Sequence, residues 1–301
     1  MASTPPGRTP NAVNRASMSR PRLRVRWDRV SVLVALVAVL ATVVAHTVVV
    51  AVRNNLKPAE AKPALVEAAA PVHPAAPAVN RQPTCPRPSP RVVRTAPPVG
   101  HGQAGRTQPT VALTFDDGPG PATPEVLNVL QQNGVPATFF VIGQNAAAEP
   151  EMLQRIVAAG NVIGDHTWSH HIPSARAGWK ASTLTNEIDH TRRVIRDATG
   201  RKPCLFRPPG GIVKGAEGVA HAAGLSMILW SVDTRDWAAP PNTRFAPVIQ
   251  KRAAAGLKQK HPVILLHDGG GNRVATVAAL VGIINDYRSH GYQFVTLDKV
   301  R

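Results

Sequence analysis

From residue 110 onward short apolar runs alternate with longer amphipathic ones, and this alternation constrains the fold more than any other feature of the chain. Seven runs have the length and composition of strands: 111–115, 137–142, 161–164, 204–207, 226–232, 262–266 and 293–297. Between them the periodicity predicts helices over 124–133, 150–159, 183–198, 214–223, 243–255 and 273–289. In the third of these, Leu184, Ile188, Thr191 and Ile195 recur on one face. Strand followed by helix, repeated, builds a parallel sheet, because parallel neighbours need a crossover between them. Seven units in about 190 residues predict an α/β fold, a distorted or incomplete (β/α) barrel of about seven parallel strands.

That order also places the polar residues. Asp116, Asp117 and Gly118 follow the first run, and Asp165 and His166 through His170 the third. Arg207, Pro208, Pro209 and Gly210 follow the fourth, Asp233, Asp236 and Trp237 the fifth, and His267 and Asp268 the sixth. Every cluster falls at the C-terminal end of a strand, and in a β/α barrel those ends share the face on which active sites are assembled.

The front third is different. Residues 30–52 are 23 residues without a formal charge, nearly all Val, Ala and Leu, enough to cross a bilayer as a helix. Seven arginines precede the stretch and only Arg53, Lys57 and Lys62 follow closely, so the positive-inside rule puts the N-terminus in the cytoplasm and the bulk of the chain outside. The rivals are a buried core helix and a cleaved signal peptide. An apolar core of a signal peptide is about 7–15 residues, shorter than this one, which favours an uncleaved signal anchor. Residues 53–109 hold 12 prolines and predict an extended, disordered linker. The expected organisation is a basic cytoplasmic segment (1–29), a single-pass transmembrane helix anchoring the chain in the cell membrane (30–52), a Pro/Ala-rich linker (53–109) and an extracellular catalytic domain (110–301).

The net charge of +17 does not imply nucleic acid. Residues 1–109 carry 15 Lys and Arg against 3 Asp and Glu, whereas the remainder carries 20 against 15. The excess belongs to the anchor and linker, and the domain shows no base-reading motif or aromatic stacking platform. Cys85 and Cys204, in an oxidising compartment, can either bridge or stay free thiols.

Histidines at i and i+4, His166 and His170, point the same way in a helical or tightly turned loop. With one carboxylate of Asp116–Asp117 they make a two-histidine, one-carboxylate metal site that leaves positions open for water and substrate. His171 is out of register with His166. The motifs Thr114-Phe115-Asp116-Asp117-Gly118, His166-Thr167-Trp168-Ser169-His170, Arg207-Pro208-Pro209-Gly210-Gly211, Asp233-Thr234-Arg235-Asp236-Trp237 and Leu265-Leu266-His267, taken in order, resemble the five motifs of the polysaccharide deacetylase (NodB-homology) family, carbohydrate esterase family 4. They span residues 114–267 and leave the N-terminal third uncovered.

The resemblance implies that Asp117, His166 and His170 hold a divalent metal, Zn2+ with Co2+ as a possible substitute, and that Asp116 is the general base. It implies that Arg207 fixes the base, that Asp236 holds His267 protonated as a general acid, and that a backbone N–H near Pro209 and Gly210 meets the oxyanion. Leu265 and Trp237 would line the substrate. Trp237 has core packing as its equal rival, Asp233 can be no more than a strand-end cap, and Thr167 can serve only to hydrogen-bond the histidine loop. One departure is Gly210, where the family often carries an aromatic residue. The implied reaction is hydrolysis of N-acetyl groups from an N-acetylglucosamine polymer of the cell wall, peptidoglycan or chitin-like, with release of acetate. The alternatives are an O-acetyl (xylan-type) esterase and a non-catalytic wall-binding module.

Overall fold

The computed structural model describes residues 87–99 and 108–299, all within one compact unit spanning 79–301. The basic segment 1–29, the predicted span 30–52, most of the linker and Cys85 lie outside the described residues. Among the described residues no helix is long and apolar enough to cross a membrane.

The strands are β1 (Thr110–Asp116), β2 (Thr138–Val141), β3 (Val162–Asp165), β4 (Leu205–Phe206), β5 (Ser226–Met227), β6 (Val232–Asp233), β7 (Val263–His267) and β8 (Gln293–Phe294). The helices are α1 (Thr123–Gln132), α2 (Gly143–Ala148), α3 (Pro150–Ala158), α4 (Ala181–Thr199), α5 (Glu217–Ala222), α6 (Ala246–Ala253) and α7 (Val274–Ser289). The sheet runs β5-β4-β3-β2-β1-β7-β6 with every ladder parallel, and β8 pairs with the start of β1. Its two edge strands, β5 and β6, are joined by residues 228–231, and five Cα steps reach at most about 18 Å. The sheet is therefore curled into an incomplete barrel, as the βα order predicts.

Alternation along β1 divides the core. Val111, Leu113 and Phe115 face the helices and pack with Phe139, Val141, Ile264 and Leu266 beneath α1, α3 and α7. Ala112 faces inward, where Phe140, Leu205, Ile228, Val263 and Leu297 fill the barrel. Thr114 and Asp116, on the same inward face, continue this column to the strand's C-terminal end, where the site begins.

Three expectations change. The run 226–232 is not one strand, because the chain there crosses from one sheet edge to the other: Ile228 bridges to Val93, and the Ser231 N–H donates to Val263. The helix expected over 214–223 begins only at Glu217, since Gly215 sits at φ +77°, outside helical space. α2 was not expected; its six residues are too few for a period to show.

Residues 87–99, expected to be linker, instead pack against the domain. Val93 exchanges backbone bonds with Met227 and Leu229, the Ala96 N–H donates to His261, and the Ser89 N–H donates to Ser226 Oγ. Ala96 is buried among the inward residues. This segment lies beside both the end of β5 and the residue before β7, so it helps fill the side the sheet leaves open. Cys204 is disulfide-bonded.

Candidate active site

β1 ends on Asp116, and the chain turns through Asp117 at φ +73° into Gly118. Glycine is needed at 118 because a Cβ there would fall on the buried Asp268 carboxylate. Both aspartates are buried, with 3% and 8% exposure, yet they meet different partners. Asp116 Oδ1 accepts from Arg207 Nη1 at 2.6 Å. The guanidinium, wholly buried just past β4, also donates to Thr114 Oγ1 and to the carbonyls of Ile228 and Leu229, and it lies over the Phe140 ring at 4.1 Å.

Asp117 turns toward the histidines. His166, immediately after β3, bonds the Arg207 carbonyl through Nδ1 at 2.7 Å, which leaves Nε2 facing the carboxylates. Nε2 lies 3.5 Å from Asp117 Oδ1 and 3.7 Å from Asp116 Oδ2, and His170 Nε2 lies 3.1 Å from Asp117 Oδ1. The loop between them is bent through the left-handed region at Thr167 (φ +69°) and His170 (φ +55°). For a β-branched threonine that conformation is strained, and strain of this kind persists where the surroundings enforce it.

One ligand atom from each of Asp117, His166 and His170 lies within 4.8 Å of the others, so the trio can hold a metal ion. Two features of the site fit one. Asp117 Oδ1 is buried without a hydrogen-bond partner, and two imidazoles with one carboxylate are the usual donors for a first-row divalent cation. Burial pushes the Asp117 carboxyl up, but His166 and His170 outweigh it and hold the group well below the usual carboxylate range. It is therefore the ionised form that faces the imidazoles.

His267 closes β7 directly opposite Asp116 in the ladder register. Its Nδ1 lies 2.8 Å from Asp236 Oδ1, and its backbone N–H donates to Asp236 Oδ2, which also accepts from Thr276 Oγ1. Burial draws the imidazole pKa down, and the Asp236 carboxylate, aided by Asp116 and Asp117, more than offsets this, so it ends above its ordinary value.

Around this centre Pro209 is buried, whereas Gly210 is exposed at φ +61° in a 3-10 turn. A Cβ at 210 would stand 3.1 Å from Ile172 Cγ2, a tight contact that the exposed Ile172 side chain would have to relieve by shifting. Leu265 is buried and shares the inward face of β7 with His267. Trp237 is 49% exposed with the Arg235 guanidinium 5.8 Å from its ring, so core packing is not its role. Asp233 accepts from the Arg235 N–H and caps the turn. Thr167 holds its loop through backbone groups, N–H to Asp165 Oδ1 and carbonyl to Gly143; its buried hydroxyl has no partner.

Several residues of the site carry no role in the sequence motifs. Thr114 shares the Arg207 guanidinium, Asn145 donates to the Asp117 carbonyl, and Asp165 holds the turn after β3. Asp268 lies under Gly118 and accepts from Thr123 Oγ1; burial pushes its carboxyl up to about 7, against the Thr123 bond and with repulsion from Asp117 and Asp116. Adjacency to His166 and His267 marked Asp165 and Asp268; the Asp268 contact with Thr123 spans the fold and left no local signal, whereas Asp165 acts within its own turn.

The polysaccharide deacetylase family model matches residues 103–228. A peptidoglycan-N-acetylglucosamine deacetylase of Bacillus cereus is 38% identical over 194 residues, covering 63% of this chain and 87% of that protein. A chitooligosaccharide deacetylase of a Bradyrhizobium species is 36% identical, covering 64% of this chain and 90% of its own. Among solved structures, a family 4 carbohydrate esterase from Streptomyces lividans, in complex with acetate, superposes with a TM-score of 0.53 at 34% identity, covering 62% of this chain and 91% of the esterase. These alignments take in most of each relative, and the buried carboxylates, paired imidazoles and opposed histidine sit where the fold gathers its strand ends: the chain is an enzyme of the polysaccharide deacetylase family.

Proposed function

We propose that this enzyme hydrolyses N-acetyl groups of N-acetylglucosamine units in cell-wall peptidoglycan, releasing acetate, and that it needs a divalent metal, Zn2+ by preference. The observation that carries the chemistry is the separation of Asp116 from Asp117. Two adjacent carboxylates have different partners, so one can bind a cation while the other remains a base. Held by Asp117, His166 and His170, the cation would polarise the acetyl carbonyl and acidify a bound water.

The chain's own residues supply the rest. Arg207 occupies Asp116 Oδ1 and leaves Oδ2 turned toward His166, which supports Asp116 as the base that takes a proton from an attacking water. Gly210 is exposed, and its backbone N–H is the group we assign to a developing oxyanion. His267, with Nδ1 engaged by Asp236, keeps Nε2 to protonate the departing nitrogen. An amine leaves only after protonation, and the raised imidazole pKa keeps that proton available near neutral pH.

Peptidoglycan is favoured over chitin-like chains by two considerations. A relative at 38% identity is named for it, and the arginine-preceded apolar stretch 30–52 would tether the domain outside the cell membrane, beside the wall. Acetate release should be measured from peptidoglycan, chitooligosaccharides and acetylated xylan, each with the metal-loaded and the chelated enzyme. The proposal expects release from the two N-acetylated substrates only, fastest from peptidoglycan, and only with metal. A preference for xylan would move the chain to the esterase alternative.

A further inference from the structure

We propose that Glu187, half-buried on α4 beside the histidine loop, is a positioning residue for His170; the inference rests on the reading that His170 ligates a metal. The two histidines of the site are held in different ways. His166 is fixed through its ring, since Nδ1 bonds the Arg207 carbonyl. His170 Nδ1 has no hydrogen-bond partner among the described residues, its side chain is 28% exposed, and its backbone sits in the left-handed region. Its aim is therefore set by the loop that carries it.

That loop is clamped from two sides. The carbonyls of Thr167 and Trp168 accept from the N–H groups of Gly143 and Gln144 at the start of α2. From the other side Glu187 takes both donors of Ser169, the N–H at 2.7 Å and Oγ at 2.9 Å, while Trp168 stacks on His190 with ring centroids 3.6 Å apart. Glu187 and His190 are three residues apart and so occupy one face of α4. The residue that Glu187 grips is the one immediately before His170. Two charge-assisted bonds there restrict the dihedrals that deliver the imidazole.

Holding α4 in the fold does not require Glu187, because the helix packs through Leu184, Ile188, Thr191 and Ile195. The clamp has a local task, and its loss should show in metal retention before it shows in stability. Residues that orient a ligand typically contribute about 10–100-fold in metal affinity.

The test uses the full chain, stripped of metal and titrated with Zn2+ in competition with a chromophoric chelator, alongside thermal unfolding of the metal-free protein. Asp197→Ala, which removes an exposed pair with Arg196 on the same helix, is the control. Glu187→Ala should weaken Zn2+ binding about tenfold, Glu187→Gln by less because it keeps one acceptor, and Asp197→Ala not at all. The metal-free melting temperatures should move little and alike. Zn2+ binding by Glu187→Ala equal to that of the wild type would overturn the proposal. If that variant does not fold, Ser169→Ala removes one of the two bonds from the other side, and unchanged binding there overturns it equally. A wild-type chain that binds no Zn2+ would sink the metal reading and this inference together, which separates that failure from a failure of the clamp alone.

Discussion

Arg207 and Asp116 are 91 residues apart in sequence, and their side chains meet at 2.6 Å with the guanidinium wholly buried. The bond ties the end of β4 to the end of β1 and turns one oxygen of Asp116 away from the histidines. A charge this deeply buried is tolerated because its donors are matched, by Asp116, Thr114 and two carbonyls. The pair therefore stabilises the strand ends and engages one Asp116 oxygen, leaving only Oδ2 to face His166 at 3.7 Å.

Replacing Asp116 by Asn should keep Zn2+ bound and lower turnover by about 10²–10⁴-fold, since it removes a base and preserves shape. Steady-state kinetics with metal analysis on the same preparation checks this. Loss of the metal in Asp116→Asn would mean that the two aspartates have each other's roles.

Chelation should abolish activity, and Zn2+ or Co2+ should restore it. Asp117→Ala, His166→Ala and His170→Ala should each lose the ion during dialysis, because each removes a third of the donor set. Full activity in a preparation shown by elemental analysis to be metal-free would refute the centre as drawn.

His267→Ala should impair amide hydrolysis more than hydrolysis of an activated acetate ester, whose leaving group departs without help. The pH profile adds a second check. Asp236 holds the imidazole pKa up, so Asp236→Asn should lower it, and the alkaline limb of kcat should move to lower pH. An unmoved limb would show that another group sets it.

Asp268 gives the metal-free fold its own pH dependence. Its carboxyl stands at about 7 against an ordinary 3.8, so the native state prefers it protonated. That contribution is fully present below the ordinary value and is lost as pH rises through about 7. Between about pH 5 and about pH 8.5 the wild type should lose on the order of a few kcal/mol more than Asp268→Asn does. Denaturant titrations at both pH values measure the difference.

A chain beginning at residue 87 should be more stable than one beginning at 107; both lack Cys85, so the comparison is free of the disulfide, and neither cut touches a proposed site residue. The shorter chain loses four hydrogen bonds made by residues 89–96 and the burial of Ala96. At about 1 kcal/mol each, these bonds correspond to a fall in melting temperature of roughly 10 °C. Equal melting temperatures would show that the segment is dispensable.

The sequence by itself determined the βα order, the parallel sheet and the strand ends at which Asp116, His166, Arg207 and His267 emerge. It could do so because periodicity is local: a period of two or 3.6 residues assigns each side chain to a face, and a βα order fixes which end of a strand points to the common rim. Four things were decided only by the tertiary structure: the burial of Arg207 among Asp116, Thr114 and two carbonyls, the split of 226–232 across the open edge, the docking of residues 87–99, and the exposure of Trp237. The first three depend on contacts between residues tens of positions apart or more, and the last on which surface the packed domain leaves open. Partners at that distance are selected by how the sheet curls and what space it leaves, and a proline-rich stretch reads as linker until a groove of the right shape is there to receive it.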